Sequence, residues 1–475
     1  MLVVHVRSFC RVLRTIGVSM TSPVALILAG GENRRFWPLA HKSFLRIDGE
    51  TLLRRRLRAL AAAGFHDQIA IANPTNLDRV REESAGLDAT VQIVLQEEPL
   101  GMGHAVLCAV DLLAGRFASR PLLVNQVHDL VADGLLDQVA RRLQAREADG
   151  LVVGKRMTTY FPGGYLTLRD GLARGVVEKP PPGTEPSDLV KLVFDGFDRA
   201  GALLDALGAV DPNPTDQYER AFDRLMASSR IETIEYDGDW VAIKFPWDPL
   251  RALPFFFAGL APEPEIGDAR VHPSAVVAGP VRLGSGVRVL AGAAIVGPAI
   301  IGAGTIVGNG AFVRGSIVGR NCIVGYAAEL TRSYVGDGCE FHTNYVGDSV
   351  IGDDVSFGSG TVTANLRLDE GNVRVAVGDA RVDTGMAKLG AMVGSRVRVG
   401  INASLMPGVR VGSGSAIGPG AIVSRDVAEG RFLTVRQELE DRPNPFAIDG
   451  SARAGFRAAL HGAVSPGHDG GAPAS

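Results

Sequence analysis

Cysteine is scarce in this chain, with only Cys10, Cys108, Cys322 and Cys339 among 475 residues. None of their spacings is that of a metal-ligand cluster and a chain of this size needs no disulfide, so reduced thiols in a cytoplasmic protein are expected. Charge of one sign is also lacking: 49 Lys and Arg against 52 Asp and Glu leave a net charge of −3. No basic field therefore argues for nucleic acid. No apolar run approaches the roughly 18 residues that a membrane helix requires, so no membrane partner is expected and small molecules become the default ligands. The first 20 residues carry arginines through their apolar stretch, as a secretory signal does not, and Met20 is the expected true start.

Glycine, by contrast, is abundant, with 59 residues, and much of it belongs to a repeat. From residue 271 an aliphatic side chain falls on every sixth position: Val271, Val277, Leu283, Val289, Ile295, Ile301, Val307 and Val313. Six residues do not match a helix face and are too regular for hairpins, but they suit one flat side of a coil in a parallel β-helix. The register loosens through Val318, Val324, Leu330, Phe341 and Phe357, then returns at Val393, Val399, Leu405, Val411, Ile417 and Val423. An interruption in the helix is expected between the two runs. The organisation read from the chain is an extension over 1–22, an α/β Rossmann-like domain over 23–248, a linker over 249–267, the β-helix over 268–430 and a tail over 431–475. Pro254, Pro262 and Pro264 mark the linker, with Phe255, Phe256 and Phe257 expected to pack in a linking helix. Residues after about 446 run through Gly, Ala, Ser and Pro and are expected to be flexible.

The N-terminal domain opens with the all-apolar run Val24–Leu28, which reads as a buried parallel strand, followed at once by Ala29-Gly30-Gly31 and then by Arg35 and Lys42. A strand that ends in glycines and cations suits a polyphosphate: glycine lets the backbone N–H groups approach the oxygens, and the cations offset their charge. Leu122–Asp129 is a second strand-like run ending in a carboxylate at the edge where open α/β sheets place ligands, so Asp129 is a candidate Mg²⁺ ligand.

The segment from Leu28 to Leu53 resembles the signature of sugar-1-phosphate nucleotidylyltransferases, with Arg35, Lys42 and Gly49 in place, Asn33 for the second loop glycine and His41 for a proline. That resemblance implies that Gln96 and Gly101 contact a base, that Gly164, Glu178 and Lys179 bind the sugar phosphate, and that Ala242 stands where relatives carry a second metal-binding aspartate. Asp237 or Asp239, or the substrate phosphates, would then complete a metal site. His104 reads as a helix-face residue.

The hexads resemble the left-handed β-helix of hexapeptide acyltransferases, and residues 338–366 resemble the acetyltransferase core of the bifunctional enzyme that acetylates glucosamine-1-phosphate and then uridylylates it. Arg381–Gly390 looks closer to archaeal-type relatives of that class. The resemblance implies acetyl-CoA as co-substrate, His342 as the base for the sugar amine, and Tyr345 and Asn365 at the substrate. Arg314 and Arg332 are implied as sugar-phosphate cations, with Thr331 where a lysine is usual, and Lys388 either binds coenzyme A phosphates or covers a solvated face. It further implies a homotrimer with acyl sites between subunits. Three functions fit these residues: a nucleoside triphosphate and sugar-1-phosphate joining enzyme that also transfers acetyl groups, a nucleotidylyltransferase whose β-helix only assembles it, and a sugar-nucleotide binder without turnover.

Overall fold

The computed structural model describes residues 22–31, 34–132, 134–212, 216–446 and 450–464. The expectation for the start at Met20 falls outside them. Residues up to Thr434 form one compact unit, and Val435–Ser475 form a second.

Val24–Leu28 is fully buried and lies near the centre of a nine-stranded mixed sheet. It pairs in parallel with Asp67–Ala72 on one side and Leu122–Gln126 on the other. The antiparallel strand Leu189–Phe197 then joins Leu122–Gln126 to Gly150–Arg156. Strands buried on both faces read as continuous apolar runs, and this one does so because helices cover both sides. The buried Asp67 is held by Arg120 at 2.7 Å and Arg116 at 2.9 Å, which keeps a charge in the sheet from being left unpaired.

From Arg270 the chain winds into a left-handed parallel β-helix of three sheets. Each apolar hexad position stacks on its counterpart one coil away: Val289 on Val307, Val307 on Val324, Val324 on Phe341, Phe341 on Phe357 and Phe357 on Val399. The middle coils are shorter than the first, and this explains the slipped register of the sequence. The interruption is an antiparallel hairpin, Arg374–Val377 with Ala380–Asp383, inserted between two coils. Cys322 and Cys339 lie wholly inside this core as free thiols.

The rings of Phe341 and Phe357 meet edge to face at 5.5 Å, with no solvent contact. Phe357→Ala would open a cavity that the rigid coils above and below cannot close. It is expected to destabilise the β-helix by about 3–5 kcal/mol, read from the shift of its urea transition, with Phe357→Leu much milder.

The expected linker carries the helix Asp248–Phe257. This helix shares an apolar cluster with a stripe on the outer face of the β-helix, Ile300, Ile317, Tyr334, Val350 and Met392, which stack in register one per coil. The Tyr334 hydroxyl donates to the Arg46 carbonyl and accepts from the Arg46 N–H, while Arg410 lies over the Trp37 ring at 4.7 Å. The segment between Arg35 and Arg46 is thus seated on the β-helix.

In the second unit, Ser451–Val464 is an α-helix. The sequence reading did not anticipate this helix: Ala, Arg and Leu between Ser451 and Leu460 favour it strongly enough to outweigh the single Gly455 among them, and the rest of the expected flexible stretch, 447–449 and 465–475, lies outside the described residues.

Candidate functional sites

At the carboxyl end of Val24–Leu28 the chain turns through Ala29, Gly30 and Gly31. A Cβ on Gly30 would lie 3.2 Å from the Ala72 backbone and 3.3 Å from the Gln96 side chain, a tight fit that favours glycine. Two amides brace the turn, Asn73 donating to the Gly30 carbonyl at 3.0 Å and Asn76 to that of Ala29 at 2.9 Å. Glu32 and Asn33 lie outside the described residues, and with them the expectation about the loop backbone at Asn33. Arg34–Phe36 is a 3₁₀ turn anchored by the buried Phe36, and Lys42 opens a second one.

Gly30, Gly31, Lys42, Gln96, Gly101 and His128 face a cavity of about 300 Å³. Gln96 is buried, and its Nε2 donates to the Gly101 carbonyl at 3.1 Å. Lys42 is half-buried, and desolvation pushes its ammonium down to about 8, with nearby Asp129 opposing the shift. His128 is held well below its usual range by burial and by Lys42, Lys244 and Arg56, so it is a neutral wall group. His104 lies on the helix Gly101–Cys108, as expected, with its Nδ1 3.2 Å from Gln96 Nε2.

A second cavity of about 440 Å³ adjoins the first, and Met102 and Gln126 line both. It gathers Arg35, Asp129, Gly164, Glu178 and Lys179, residues far apart in sequence. Gly164 pairs with Glu178 across an antiparallel ladder. A Cβ there would sit 2.9 Å from Glu178 Oε2, so glycine leaves room for the carboxylate. Glu178 in turn holds Lys179 at 3.1 Å. Sequence reasoning missed three ionisable residues of this cavity: Lys191, Glu219 and Lys244. Lys191 pairs at 2.7 Å with Asp195, which also accepts from Tyr218, and burial raises the Asp195 and Glu219 carboxyls. Only Lys244 had a signal, since it stands two residues beyond Ala242, where the resemblance implies a second metal-binding aspartate.

Asp129 is buried at the rim of this cavity, where its Oδ1 accepts from Trp240 Nε1 at 3.2 Å. Trp240–Ala242 pairs antiparallel with Asp129–Val131 and sets Ala242 directly opposite Asp129. Asp237 and Asp239 are exposed and line neither cavity. Among the described residues no group of three or more His, Cys, Asp and Glu is placed to hold a metal ion. Asp129 already accepts a hydrogen bond, Glu178 is paired with Lys179, and the ammonium groups of Lys42 and Lys244 lie near Asp129, a set that does not fit a resident Mg²⁺ held by the protein. A divalent ion in this cavity would arrive as part of a polyphosphate substrate.

On the β-helix, Gly315, Arg332 and Asp348 follow the paired positions Arg314, Thr331 and Gly347 on successive coils, all three with positive φ. Thr331 is buried, and the next residue, Arg332, binds both Asp348 carboxylate oxygens at 2.7 Å. Asn365 donates to the same carboxylate at 2.5 Å and to the Tyr345 hydroxyl at 3.1 Å. His342 is exposed on the preceding turn, its N–H donating to Asn344 Oδ1 at 2.7 Å, and Asn344 is buried and bonded to the next coil. The backbone of His342 is therefore fixed and its imidazole free to meet a ligand. The inserted hairpin leaves and returns beside Asn365, where Leu366 bridges Lys388 and the Leu389 N–H donates to the Asn365 carbonyl. Lys388 and Arg314 are both exposed.

The MobA-like NTP transferase domain family matches residues 25–163 of this chain. A bifunctional sugar-1-phosphate nucleotidylyltransferase/acetyltransferase of Sulfurisphaera tokodaii is 30% identical, over 86% of this chain and the whole of that protein. The bifunctional protein GlmU of Methanococcus vannielii is 28% identical, over 87% of this chain and 98% of the relative. The protein of the same name from Methanocaldococcus jannaschii is likewise 28% identical over the same shares of both chains. No helix among the described residues is long and apolar enough to cross a membrane.

Proposed function

The chain belongs to the family of bifunctional sugar-1-phosphate nucleotidylyltransferase/acetyltransferases, and from that premise we propose how its two sites divide the work. The N-terminal domain joins a nucleoside triphosphate, UTP or dTTP, to a hexose-1-phosphate. The β-helix transfers an acetyl group from acetyl-CoA to the amine of an amino-sugar phosphate. The observation that carries this reading is the adjacency of the two cavities: the Gly-Gly turn, Lys42 and Gln96 face one, and Arg35, Glu178 and Lys179 face the other, with Gln126 between them.

In that arrangement the nucleotide lies on the glycine turn, with Gln96 and Gly101 at the base and Lys42 on the phosphates. Glu178 accepts from sugar hydroxyls and Lys179 binds the sugar phosphate, roles that suit an acceptor-only carboxylate and an ammonium with its three donors. An oxygen of the sugar phosphate attacks the α-phosphorus in line. The new P–O bond forms as the bridge to the β-phosphate breaks, and pyrophosphate leaves with the electron pair. The reaction needs positioning and charge neutralisation more than a protein nucleophile. Mg²⁺ belongs here to the nucleotide substrate.

At the second site His342 takes the proton of the sugar amine as it adds to the thioester carbonyl, and the C–S bond breaks to release coenzyme A. Tyr345 and Asn365 line the substrate, and Arg314 and Arg332 face its phosphate. Lys388, exposed on the segment that bridges Leu366, binds the phosphates of coenzyme A. The exposure of His342 and Lys388 supports a homotrimer in which a neighbouring copy closes the site.

The test offers the purified protein UTP or dTTP with glucose-1-phosphate or N-acetylglucosamine-1-phosphate, and separately acetyl-CoA with glucosamine-1-phosphate. Pyrophosphate release with at least one pair and coenzyme A release in the second assay are the expected results. Nucleotide binding without pyrophosphate release would reduce the N-terminal domain to a binding module, and silence in the second assay would leave the β-helix an assembly scaffold.

A further inference from the structure

The departure from a two-carboxylate site at Ala242 is matched two residues later by a cation. Lys244 lies in the wall of the second cavity with Arg35, Asp129 and Lys179. Its ammonium is held 4.0 Å over the Phe161 ring and donates to the Pro162 carbonyl at 3.2 Å, which leaves two of its three donors for a ligand. Its backbone is fixed too: the N–H groups of Lys244 and Phe245 both donate to the buried Asp248 carboxylate at 2.7 Å, and Arg251 pairs with Asp248. A positioned cation therefore stands in the same cavity wall as Asp129, and Ala242, the residue directly opposite Asp129, offers no second carboxylate.

We infer that Lys244 replaces a protein-chelated divalent ion, its ammonium neutralising phosphoryl oxygens where the two cavities meet. An ammonium at this place also repels a metal ion that is not already bound to phosphate, so the exchange of Asp for Ala at 242 and the presence of Lys at 244 form one compensated change. The inference rests on the nucleotidyl-transfer reading for its reaction, but its test does not depend on turnover.

Four full-length proteins are compared: the natural sequence, Lys244→Met, Lys244→Arg and the double variant A242D/K244G. Mn²⁺ alone is titrated into each and followed by its electron paramagnetic resonance signal. UTP binding is then measured by calorimetry with EDTA and with Mg²⁺. The natural protein is expected to leave Mn²⁺ free without nucleotide, and A242D/K244G to bind it at least about tenfold more tightly. UTP affinity of the natural protein and of Lys244→Arg should survive EDTA, whereas Lys244→Met should lose about tenfold in EDTA and recover part of it with Mg²⁺. Tight Mn²⁺ binding by the nucleotide-free natural protein, or UTP binding by Lys244→Met that EDTA leaves unchanged, overturns the inference. Absence of pyrophosphate release from the natural protein would instead overturn the nucleotidyl-transfer reading, and the metal and UTP titrations would still decide the role of Lys244.

Discussion

His342→Ala is expected to slow acetyl transfer by about 100- to 10,000-fold, the usual contribution of a positioned general base, while pyrophosphate release stays at its natural rate. The separation is expected because the imidazole is exposed and supports nothing in the coil. The turn is held instead through the His342 N–H and the buried Asn344 side chain, which bonds the Gly358 and Thr361 carbonyls. Both rates are measured on one preparation, coenzyme A with a thiol reagent and pyrophosphate with a coupled assay. A fall in kcat with an unchanged KM for acetyl-CoA fits proton transfer. Loss of both activities would mean that the variant disturbs the fold, and loss of neither would place the base elsewhere.

Lys42→Met is expected to lower kcat/KM for the nucleotide by about 100- to 1,000-fold, the scale of removing a preorganised charge from a water-poor site. Methionine fills similar volume and removes a charge that burial already disfavours, so the variant should fold. The same burial predicts a pH signature. The Lys42 ammonium of the free protein deprotonates near pH 8, and only its charged form offsets phosphate. The kcat/KM of the natural protein should therefore hold below about pH 8 and fall as pH rises through it. Bound polyphosphate favours the ammonium, so the fall in kcat lies at higher pH. Lys42→Arg, which does not deprotonate in this range, should flatten the profile. A profile for Lys42→Arg identical to that of the natural protein would assign the titration to another group.

Much of the fold was legible because its signals are local. A hexad is read from side chains six apart, and the buried ladder from Val289 to Val423 follows the apolar positions picked from the repeat. The strand Val24–Leu28 and its Gly-Gly turn were equally plain. The outer stripe of Ile300, Ile317, Tyr334, Val350 and Met392 was not singled out. Its members alternate with inward residues, so nothing in the local pattern says that a distant helix, Asp248–Phe257, would cover them. The helix Ser451–Val464 was missed because the Gly and Pro nearby drew the reading toward flexibility.

By itself, then, the sequence determined the repeat, the glycine turn, the near-neutral charge and the order of the motifs along the chain, because each depends on residues within one or two turns of backbone. Tertiary structure decided which of these residues meet. It set Ala242 opposite Asp129 by pairing strands more than a hundred residues apart, brought Lys244 to the second cavity beside Asp129, and tied Arg332, Tyr345, Asp348 and Asn365 into one hydrogen-bonded group. Such contacts are fixed by strand register and coil stacking, which depend on the whole packed core and not on any local run of residues.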